Sequence, residues 1–292
     1  MQEIRDRVIL QNNTITPGMT YSSLSAYKQQ ILNDFNNRPN YENEFHRTAA
    51  TRLVELAKLQ SGQHVLDIAT GTGLAAIAAA MVVGSTGRVL GTDFALGMLQ
   101  QAQQKIEVLG LTNIKFEEAD ADEQELQSSQ FDAILCSSAI AYLIDIPTSL
   151  RRWHNAVKPG GVVAFSCLAE NSPTASVLFR TVVKRYGITI PNPNQLLGTP
   201  KRCCQLLEMI GFKEIEITTE QLGFYLQNAE DAWAGNAKSA FGLQDVKWSN
   251  EQLEQCKQEY FKEINQASTE EGYWNDVTMF FVRARKPSEK VT

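Results

Sequence analysis

The chain has 292 residues, of which 43% are hydrophobic, and it carries a formal net charge of -6 at pH 7. This composition is typical of a globular protein in water, and the acidic excess argues against nucleic acid as a partner, because phosphate backbones are bound by basic surfaces. The sequence shows no apolar run of about 18 residues that could form a transmembrane helix, and its first residues lack the layout of a secretory signal.

The first 45 residues are polar, rich in Asn and Gln, and contain Tyr21, Tyr27 and Tyr41. They predict one or two helices outside the main sheet, and we interpret residues 1–45 as an N-terminal helical lid. Residues 44–59 then place apolar side chains at helical spacing, which predicts a helix before the first strand.

From the stretch HVLDIA onward, predicted strands and helices alternate. RVLGTD, IKFEEA, FDAILCS and VVAFSCL are short runs typical of strands. The intervening helices end at Gly110, after LGMLQQAQQKIEVL, and at the Lys-Pro-Gly-Gly that follows IPTSLRRWHNAV. Because parallel strands need helical crossovers, this rhythm predicts a doubly wound α/β fold.

Beyond Glu170 the alternation becomes irregular. Helices are predicted in SPTASVLFRTVVKRYG and PKRCCQLLEMIGF, with a loop at IPNPNQ between them and the strand KEIEITT after them. Residues 222–273 are interpreted as a mostly helical insert with several aromatic side chains, and VTMFFVRAR as the last strand. Residues 46–292 are therefore expected to form one domain that carries this insert.

The segment Gly71-Thr72-Gly73 follows the first strand and opens a helix. This placement indicates a cofactor-binding loop, because glycine lets a ligand approach the backbone. The dinucleotide fingerprint has a third glycine where this chain has Ala76, and Asp67 at the strand end would repel a pyrophosphate. S-adenosylmethionine (SAM) has no phosphate and carries an ammonium and a sulfonium, so the acid favours SAM over NAD.

Two further acids end the next two strands. Asp93 ends RVLGTD and could accept hydrogen bonds from both hydroxyls of a ribose, while Asp120, within FEEADAD, could accept from an adenine amine. With Asp67 they predict one crevice at the carboxyl edge of the sheet, where ligands bind in such folds. The ribose contact alone does not separate SAM from NAD, and Asp120 alone could equally be a surface carboxylate.

The stretches VLDIATGTG, GTDFALGML, EEADAD, FDAILCSSAIAYL and AVKPGG resemble, in order and spacing, the class I SAM-dependent methyltransferases. The likeness is strongest to the branch of ubiquinone- and menaquinone-biosynthesis methyltransferases and small-molecule methyltransferases of secondary metabolism. It extends over residues 49–168 and leaves out residues 1–45 and 222–273. It implies SAM as the cofactor and a Rossmann-like, mostly parallel sheet of seven strands with an antiparallel last strand.

The resemblance also assigns roles to single residues. Asp67 and the loop of Gly71, Thr72 and Gly73 would hold the methionyl end of SAM, and Asp93 would hold the ribose. Four residues would contact the adenine: Phe94, Met98, Asp120 and Ala121. The backbone carbonyl of Ser137 would accept a hydrogen bond from the amino group of the methionyl end. A place in the core of a helix is the plain alternative for Phe94 and Met98.

Methyl transfer from a sulfonium is an in-line displacement, so the enzyme mainly aligns the acceptor and helps to deprotonate it. Of the three histidines, His46 lies on the segment that folds over the methyl group in the family, and it is the first candidate base. A half-exposed helix histidine is the alternative. Tyr142, just beyond the fourth strand, is the second candidate, and Cys136 is expected to be an inert core thiol.

No metal is expected. Glu170 and Asn171 are of the type found in metal-dependent catechol methyltransferases, but Ser137-Ser138 stand where those enzymes need an acid. The aromatic residues outside the sheet favour a small apolar or aromatic acceptor, methylated on oxygen or nitrogen. C-methylation of a quinone-type ring stays open, as do a non-catalytic SAM-binding partner subunit and an NAD-dependent oxidoreductase.

The five cysteines are odd in number and never form Cys-x-x-Cys. A disulfide framework or a structural zinc site is therefore not expected, and a reducing cytoplasm is the predicted location. The predicted partner is a small-molecule substrate, without nucleic acid or a membrane span, and the expected assembly is a monomer or a homodimer.

Overall fold

The structure, a computed structural model, describes residues 21–36, 38, 41–243 and 246–288. The part of the predicted lid before residue 21 lies outside these residues. The chain divides into two compact units, the first formed by Met1–Cys167, Pro200–Thr218 and Phe281–Thr292, and the second by Leu168–Thr199 and Thr219–Phe280. In the part of the chain that the structure describes, no helix is long and apolar enough to cross a membrane.

From residue 21, where the described part of the chain starts, the first unit runs through two helices and continues as alternating strands and helices. Its elements in chain order are α1 (Tyr21–Asn36), α2 (Glu44–Ala57), β1 (His64–Ile68), α3 (Leu74–Val83), β2 (Arg88–Asp93), α4 (Leu96–Leu109), β3 (Ile114–Glu118), β4 (Phe131–Cys136), a 3-10 turn (Ile140–Tyr142), α5 (Ile146–Ala156) and β5 (Val157–Leu168).

The later elements carry the chain through the second unit and back. They are α6 (Thr174–Arg185), α7 (Pro200–Ile210), β6 (Lys213–Gln221), β7 (Phe224–Leu226), α8 (Ala229–Ala237), α9 (Asn250–Ala267), β8 (Tyr273–Asn275) and β9 (Thr278–Arg285).

The main sheet has the strand order β3-β2-β1-β4-β5-β9-β6. The first five strands pair in parallel, with Asp67 of β1 opposite Gly91 of β2 and Leu135 of β4. The predicted fold is confirmed, because the sheet has seven strands, is mostly parallel and has an antiparallel last strand. The strand order reverses between β1 and β4, which is where ligands bind in doubly wound folds.

Small side chains let α3 lie close to the sheet. Its sequence LAAIAAAMVV buries several alanines, among them Ala76 and Ala79, with no exposed surface. Gly91 of β2 is equally constrained, since a Cβ there would lie 2.6 Å from the ring of Phe116. Close helix–sheet contact of this kind fixes the loop between β1 and α3 in position.

The end of α5 differs from the prediction. The sequence predicted that Lys-Pro-Gly-Gly stops the helix, but α5 already ends at Ala156 and these residues belong to β5. The reason is pairing, because Val157 lies opposite Phe131 of β4 and draws the backbone into the sheet.

The second unit has its own hydrophobic core, formed by α6, α8, α9 and β8. Phe179, Trp233 and Tyr260 lie at its centre, with ring centroids 5.2 to 5.8 Å apart. This unit is larger than the predicted insert, because it also includes Leu168–Thr199. It also contains β7 and β8, which form an antiparallel pair.

Candidate functional site

A pocket opens in the first unit at the carboxyl ends of β1 to β4. It encloses about 990 Å³, a volume that includes the solvent-open mouth. Most of its wall comes from strand-end loops and from α1 and α2: Lys28, Ile31, Phe35, Tyr41, His46, Ala50, Ala69, Thr70, Gly71, Thr72, Leu74, Ala75, Asp93, Phe94, Ala119, Asp120, Ala121, Asp122, Ser137, Ser138, Ala139, Tyr142 and Leu143.

Asp67, in β1, is only 1% exposed and is not among the residues that line the pocket. Its Oδ2 accepts a hydrogen bond from Thr70 Oγ1 at 2.6 Å, whereas its Oδ1 has no partner among the described residues. Burial raises the pKa of this carboxyl to about 7. A buried, unsatisfied carboxylate oxygen is costly, so the site favours a ligand that brings a positive charge or a hydrogen-bond donor.

The two glycines of the loop do different things. Gly71 lines the pocket with φ +55°, and a Cβ built on it meets nothing within 4 Å, so a side chain there would occupy open space. Gly73 (φ +82°) is not in the pocket wall, and a Cβ there would lie 2.8 Å from Phe116 Cζ. Gly73 thus lies against Phe116 of β3 on its Cβ side, and the backbone contact with the cofactor that was expected of it stays a prediction.

Asp93, at the end of β2, is in the pocket wall and almost buried. Its Oδ2 accepts from Gly71 N at 2.8 Å and its Oδ1 from Ala95 N at 2.9 Å. Burial raises the pKa of this carboxyl, while the backbone N–H groups oppose that shift. Each oxygen keeps further acceptor capacity, so the carboxylate is held in place and can still accept hydrogen bonds from a ligand.

Asp120 is in the wall beside Ala121, and a lysine of α1 reaches it. Lys28 Nζ donates to Asp120 Oδ2 at 2.6 Å, and Asp120 Oδ1 accepts from Asp122 N at 2.9 Å. Burial would lower the pKa of Lys28, but the hydrogen bond to Asp120 and the nearby carboxylates raise it above its usual value. No sequence motif had indicated a role for Lys28.

Ser137 and Ser138 follow β4 and both line the pocket. Ser138 has φ +56°, a left-handed conformation that costs a non-glycine residue of order 1–3 kcal/mol. Ser166 of β5 stabilises it, accepting from Ser138 N at 2.8 Å. Ser137 therefore lies in the pocket wall, and its expected contact with the amino group of the cofactor stays a prediction.

Phe94 and Met98 occupy different environments in the structure. Phe94 lines the pocket. Met98 is fully buried and is not in the wall, contrary to the role implied for it. The difference follows from α4, which starts at Leu96 and turns Met98 into the core.

The N-terminal side of the pocket is aromatic. The Tyr41 and His46 rings have centroids 4.3 Å apart, and the Phe35 ring meets Tyr41 at 5.7 Å and Tyr142 at 5.5 Å, edge to face. Edge-to-face and offset arrangements are favourable for such rings. The structure therefore places His46 and Tyr142, the two candidate bases, in the wall of one chamber.

His46 and Tyr142 differ in their protonation. Burial, with Arg38 nearby, lowers the pKa of His46, which keeps the imidazole neutral at pH 7. Its Nδ1 is buried and has no hydrogen-bond partner among the described residues. Burial raises the pKa of Tyr142, so this side chain stays a phenol. His46 can thus accept a proton, whereas Tyr142 is suited to donating a hydrogen bond.

Glu42 is another wall-supporting residue that the sequence did not reveal. Its Oε1 accepts from Thr72 Oγ1 at 2.6 Å and contacts Lys105 of α4, whose Nζ also donates to the Thr72 carbonyl at 2.7 Å. The helical spacing of Lys28, Ile31 and Phe35 was the available signal for α1, but no local pattern marks Glu42.

The described residues contain no cluster of three or more His, Cys, Asp or Glu side chains arranged to hold a metal ion. Cys136 is fully buried, and burial raises the pKa of its thiol, so it is not an activated nucleophile. Residues 222–273 belong to the second unit, and their predicted role in covering the pocket stays a prediction.

Comparison with known proteins is consistent with this geometry. Residues 59–185 match the family model of a methyltransferase domain. Over 146 residues, 49% of this chain and 66% of the relative, the chain is 33% identical to the aklanonic acid methyltransferase DauC of Streptomyces sp. (strain C5). Over 207 residues, 69% of this chain and 84% of the relative, it is 26% identical to a demethylmenaquinone methyltransferase of Staphylococcus aureus (strain JH9).

Solved structures share the fold. The YcgJ protein of Bacillus subtilis aligns with a TM-score of 0.57 at 14% identity, covering 83% of this chain and 100% of that one. A phosphoethanolamine N-methyltransferase 2 of Haemonchus contortus, solved with SAM, aligns with a TM-score of 0.54 at 18% identity, covering 88% of this chain and 60% of that one.

Proposed function

Because the chain belongs to the class I SAM-dependent methyltransferases, we propose that it methylates an oxygen or nitrogen of a small apolar or aromatic molecule. The observation that carries this proposal is the shape of one pocket, in which Asp93 and Asp120 at the strand ends share a cavity with the rings around His46. No nucleic acid takes part in the proposed reaction.

The residues present fit SAM. Asp67 is buried and not in the pocket wall, so its carboxylate would attract an ammonium group through a water molecule. Gly71 leaves open the space that a side chain would fill. Asp93 would accept from the ribose hydroxyls, and Asp120 with Ala121 would meet the adenine.

Bound SAM would supply an electrophilic methyl group on its sulfonium. The chain's residues would then hold the acceptor in line and remove its proton where the acceptor does not ionise by itself. His46 is the proposed base, because it is neutral, lines the pocket and has an unpartnered Nδ1. Tyr142 is proposed to orient the acceptor by a hydrogen bond.

The wall around His46 defines the class of acceptor. Ile31, Phe35, Tyr41 and Leu143 line the same pocket with apolar and aromatic surface, which favours a flat ring over a charged metabolite. The names of the two relatives, an aklanonic acid and a demethylmenaquinone methyltransferase, support an aromatic or quinone-type acceptor and a role in secondary metabolism. C-methylation of a quinone-type ring is the second candidate, favoured by the demethylmenaquinone relative.

The test combines binding with product analysis. Calorimetry should show that S-adenosylhomocysteine (SAH) binds and NAD does not. A panel of phenols, aromatic amines and reduced quinones, incubated with SAM carrying a deuterated methyl group, should yield at least one product whose mass and NMR spectra locate the label on oxygen or nitrogen. Label on carbon selects the quinone alternative, and tight SAH binding without turnover selects a non-catalytic SAM-binding subunit. We expect the same rates with and without EDTA.

A further inference from the structure

Lys28 is placed by α1 at the adenine end of the pocket. Residues 28, 31 and 35 are three and four positions apart, so Lys28, Ile31 and Phe35 share one face of the helix, and all three line the pocket. Two of these side chains are apolar and cover the cavity, whereas the third is a cation directed to the strand-end acids.

Lys28 meets three carboxylates of the loop after β3. Its Nζ lies 2.6 Å from Asp120 Oδ2, 3.3 Å from Glu123 Oε1 and 3.7 Å from Asp122 Oδ2. The side chains of Lys28 and Asp120 are 21% and 27% exposed, so solvent screens this pair less than a fully exposed one. Lys28 is thus the contact through which α1 reaches the carboxylate proposed to bind adenine.

The same loop is connected to the acceptor side of the pocket. Asp120 Oδ1 accepts from Asp122 N, and the Asp122 carboxylate accepts from Ile144 N at 3.1 Å. Ile144 follows the turn that carries Tyr142. A shift of Lys28 therefore acts on two pocket loops.

The N-terminal segment also forms hydrogen bonds that do not involve a carboxylate proposed to bind the cofactor. Asn36 Oδ1 accepts from Gly97 N at 2.8 Å, and Glu42 binds Thr72 of the glycine loop. These contacts hold α1 and the following segment near the cavity mouth. Of these contacts, the one made by Lys28 is to Asp120, the carboxylate that is proposed to bind adenine.

We propose that Lys28 is a positioning residue that couples adenine binding on Asp120 to closure of α1 over the pocket. A carboxylate has about four acceptor positions, and Lys28 and Asp122 N use two of those of Asp120, so an adenine amine can bind beside the lysine. Lys28 holds the Asp120 side chain in the orientation that accepts from the adenine amine, and the bound amine in turn holds Asp120 in the orientation that pairs with Lys28. By linkage, each event strengthens the other by the same factor. This inference rests on the proposed function.

The test measures the helix and the ligand rather than turnover. Hydrogen–deuterium exchange of residues 21–36 is compared with and without saturating SAH in the full chain, and the SAH dissociation rate is measured by stopped flow. Lys28→Met removes the charge and keeps the apolar stem. Lys28→Arg keeps the charge, and Lys115→Met is the matched control, because it removes a lysine–glutamate pair on β3 that lies outside the pocket.

In the wild type and in Lys28→Arg, SAH should slow exchange in α1. In Lys28→Met this protection should largely disappear and SAH should dissociate about 5-fold faster or more, as expected for a typical coupling between sites, while Lys115→Met behaves as the wild type. 5′-Methylthioadenosine, which keeps the adenine and lacks the methionyl end, should protect α1 in the same Lys28-dependent way.

Three results would overturn the inference while leaving SAM binding intact: equal protection and dissociation in Lys28→Met and the wild type, protection by SAH without protection by 5′-methylthioadenosine, or an equal effect of Lys115→Met. Failure of SAH to bind the wild type would instead contradict the proposed function. Thermal unfolding of each variant identifies a folding defect, and Lys28→Gln replaces Lys28→Met if that variant does not fold.

Discussion

The two sides of the pocket are built in different ways. On the cofactor side, Asp67 and Asp93 are buried at strand ends, and their partners lie in the adjoining loops: Thr70 for Asp67, and the backbone N–H groups of Gly71 and Ala95 for Asp93. On the N-terminal side, His46 and its neighbours are held by ring contacts and by partly exposed ion pairs between segments distant in sequence.

This contrast separates two tasks. A cofactor site made of strand-end carboxylates and backbone groups depends mainly on the sheet, so changes in the aromatic side chains of α1 and α2 leave its geometry in place. The aromatic side depends on helices that pack onto the sheet without belonging to it, so its side chains can change to accept a different molecule. We therefore expect substitutions on the first side to affect mainly SAH affinity and those of the aromatic residues on the second side mainly turnover, with Lys28 as the exception because it pairs with Asp120.

The largest expected effect is on the cofactor side. Asp93→Ala removes two charge-assisted hydrogen bonds to the proposed ribose, each worth about 1.5–3 kcal/mol, and therefore should weaken SAH binding by roughly 100-fold or more. It also releases Gly71 N and Ala95 N. Calorimetry measures the affinity directly. Near-normal SAH affinity would show that the ribose binds elsewhere.

The control is Asp145→Ala, which removes an exposed aspartate that accepts from Thr148 N at the start of α5. Loss of such a cap costs about 1 kcal/mol of stability. SAH affinity should stay unchanged, so a similar loss in both variants would indicate general destabilisation.

The cofactor side was predictable from the sequence because its residues are set by local position. A strand that ends at Asp93 and a glycine loop after β1 fix where these groups lie once the parallel sheet is recognised. Gly73 and Met98 show the limit of this reasoning, because neither lines the pocket. Sequence position shows that a residue is near the site, but the ring of Phe116 and the rotation of α4 decide which way it faces.

The N-terminal side could be predicted only as a lid with a candidate histidine. Lys28 and Asp120 are 92 residues apart, and Glu42 and Thr72 are 30 apart. Contacts of that separation leave no periodic signal in one sequence, because they depend on how α1 and α2 pack against the sheet. The chain divides at Leu168 for a similar reason, since the core around Tyr260 joins segments before and after α7.

The second-largest effect is expected on the N-terminal side. His46→Ala should lower kcat by about 100-fold or more if His46 is the general base, and SAH affinity should change much less. The acidic limb of the pH–rate profile, caused by protonation of the imidazole, should disappear with the side chain. Steady-state kinetics across pH 5.5–8.5 give both quantities.

The control for His46 is Tyr41→Phe, which keeps the ring that packs on the imidazole and removes only its hydroxyl. This variant should retain the pH profile of the wild type. If His46→Ala also retains it, with kcat near normal, His46 serves packing and the acceptor loses its proton without a protein base.

A smaller effect concerns the charge of Asp67. Burial raises its pKa from 3.8 to about 7, so the ligand-free protein holds it mostly protonated below pH 7. A cationic ligand favours the carboxylate, hence SAM binding should release a proton, and affinity should rise with pH up to about 7 by at most tenfold per unit. Calorimetry in two buffers of different ionisation enthalpy measures this proton.

The stability of the ligand-free protein should change in the opposite direction. An acid whose pKa is higher in the folded state than in the unfolded chain favours folding below its unfolded value, and this contribution is lost as the pH rises from about 4 to 7. Asp67→Asn should remove both pH dependences and bind SAM more weakly. A proton release that persists in Asp67→Asn would assign it to another group.

The smallest effect is expected for Tyr142→Phe. Burial raises the pKa of Tyr142, so the hydroxyl is not a base near neutral pH, and its removal should cost one neutral hydrogen bond to the acceptor, about 0.5–1.5 kcal/mol or roughly 2- to 12-fold. The loss should appear in kcat/KM while the pH–rate profile and SAH affinity stay as in the wild type, because Phe keeps the edge-to-face contact with Phe35.

Kinetics of wild type, Tyr142→Phe and the double variant with His46→Ala decide between the two candidates. A 100-fold fall in kcat for Tyr142→Phe, with little further loss in the double variant, would make Tyr142 the proton acceptor and leave His46 as a packing residue of the aromatic wall.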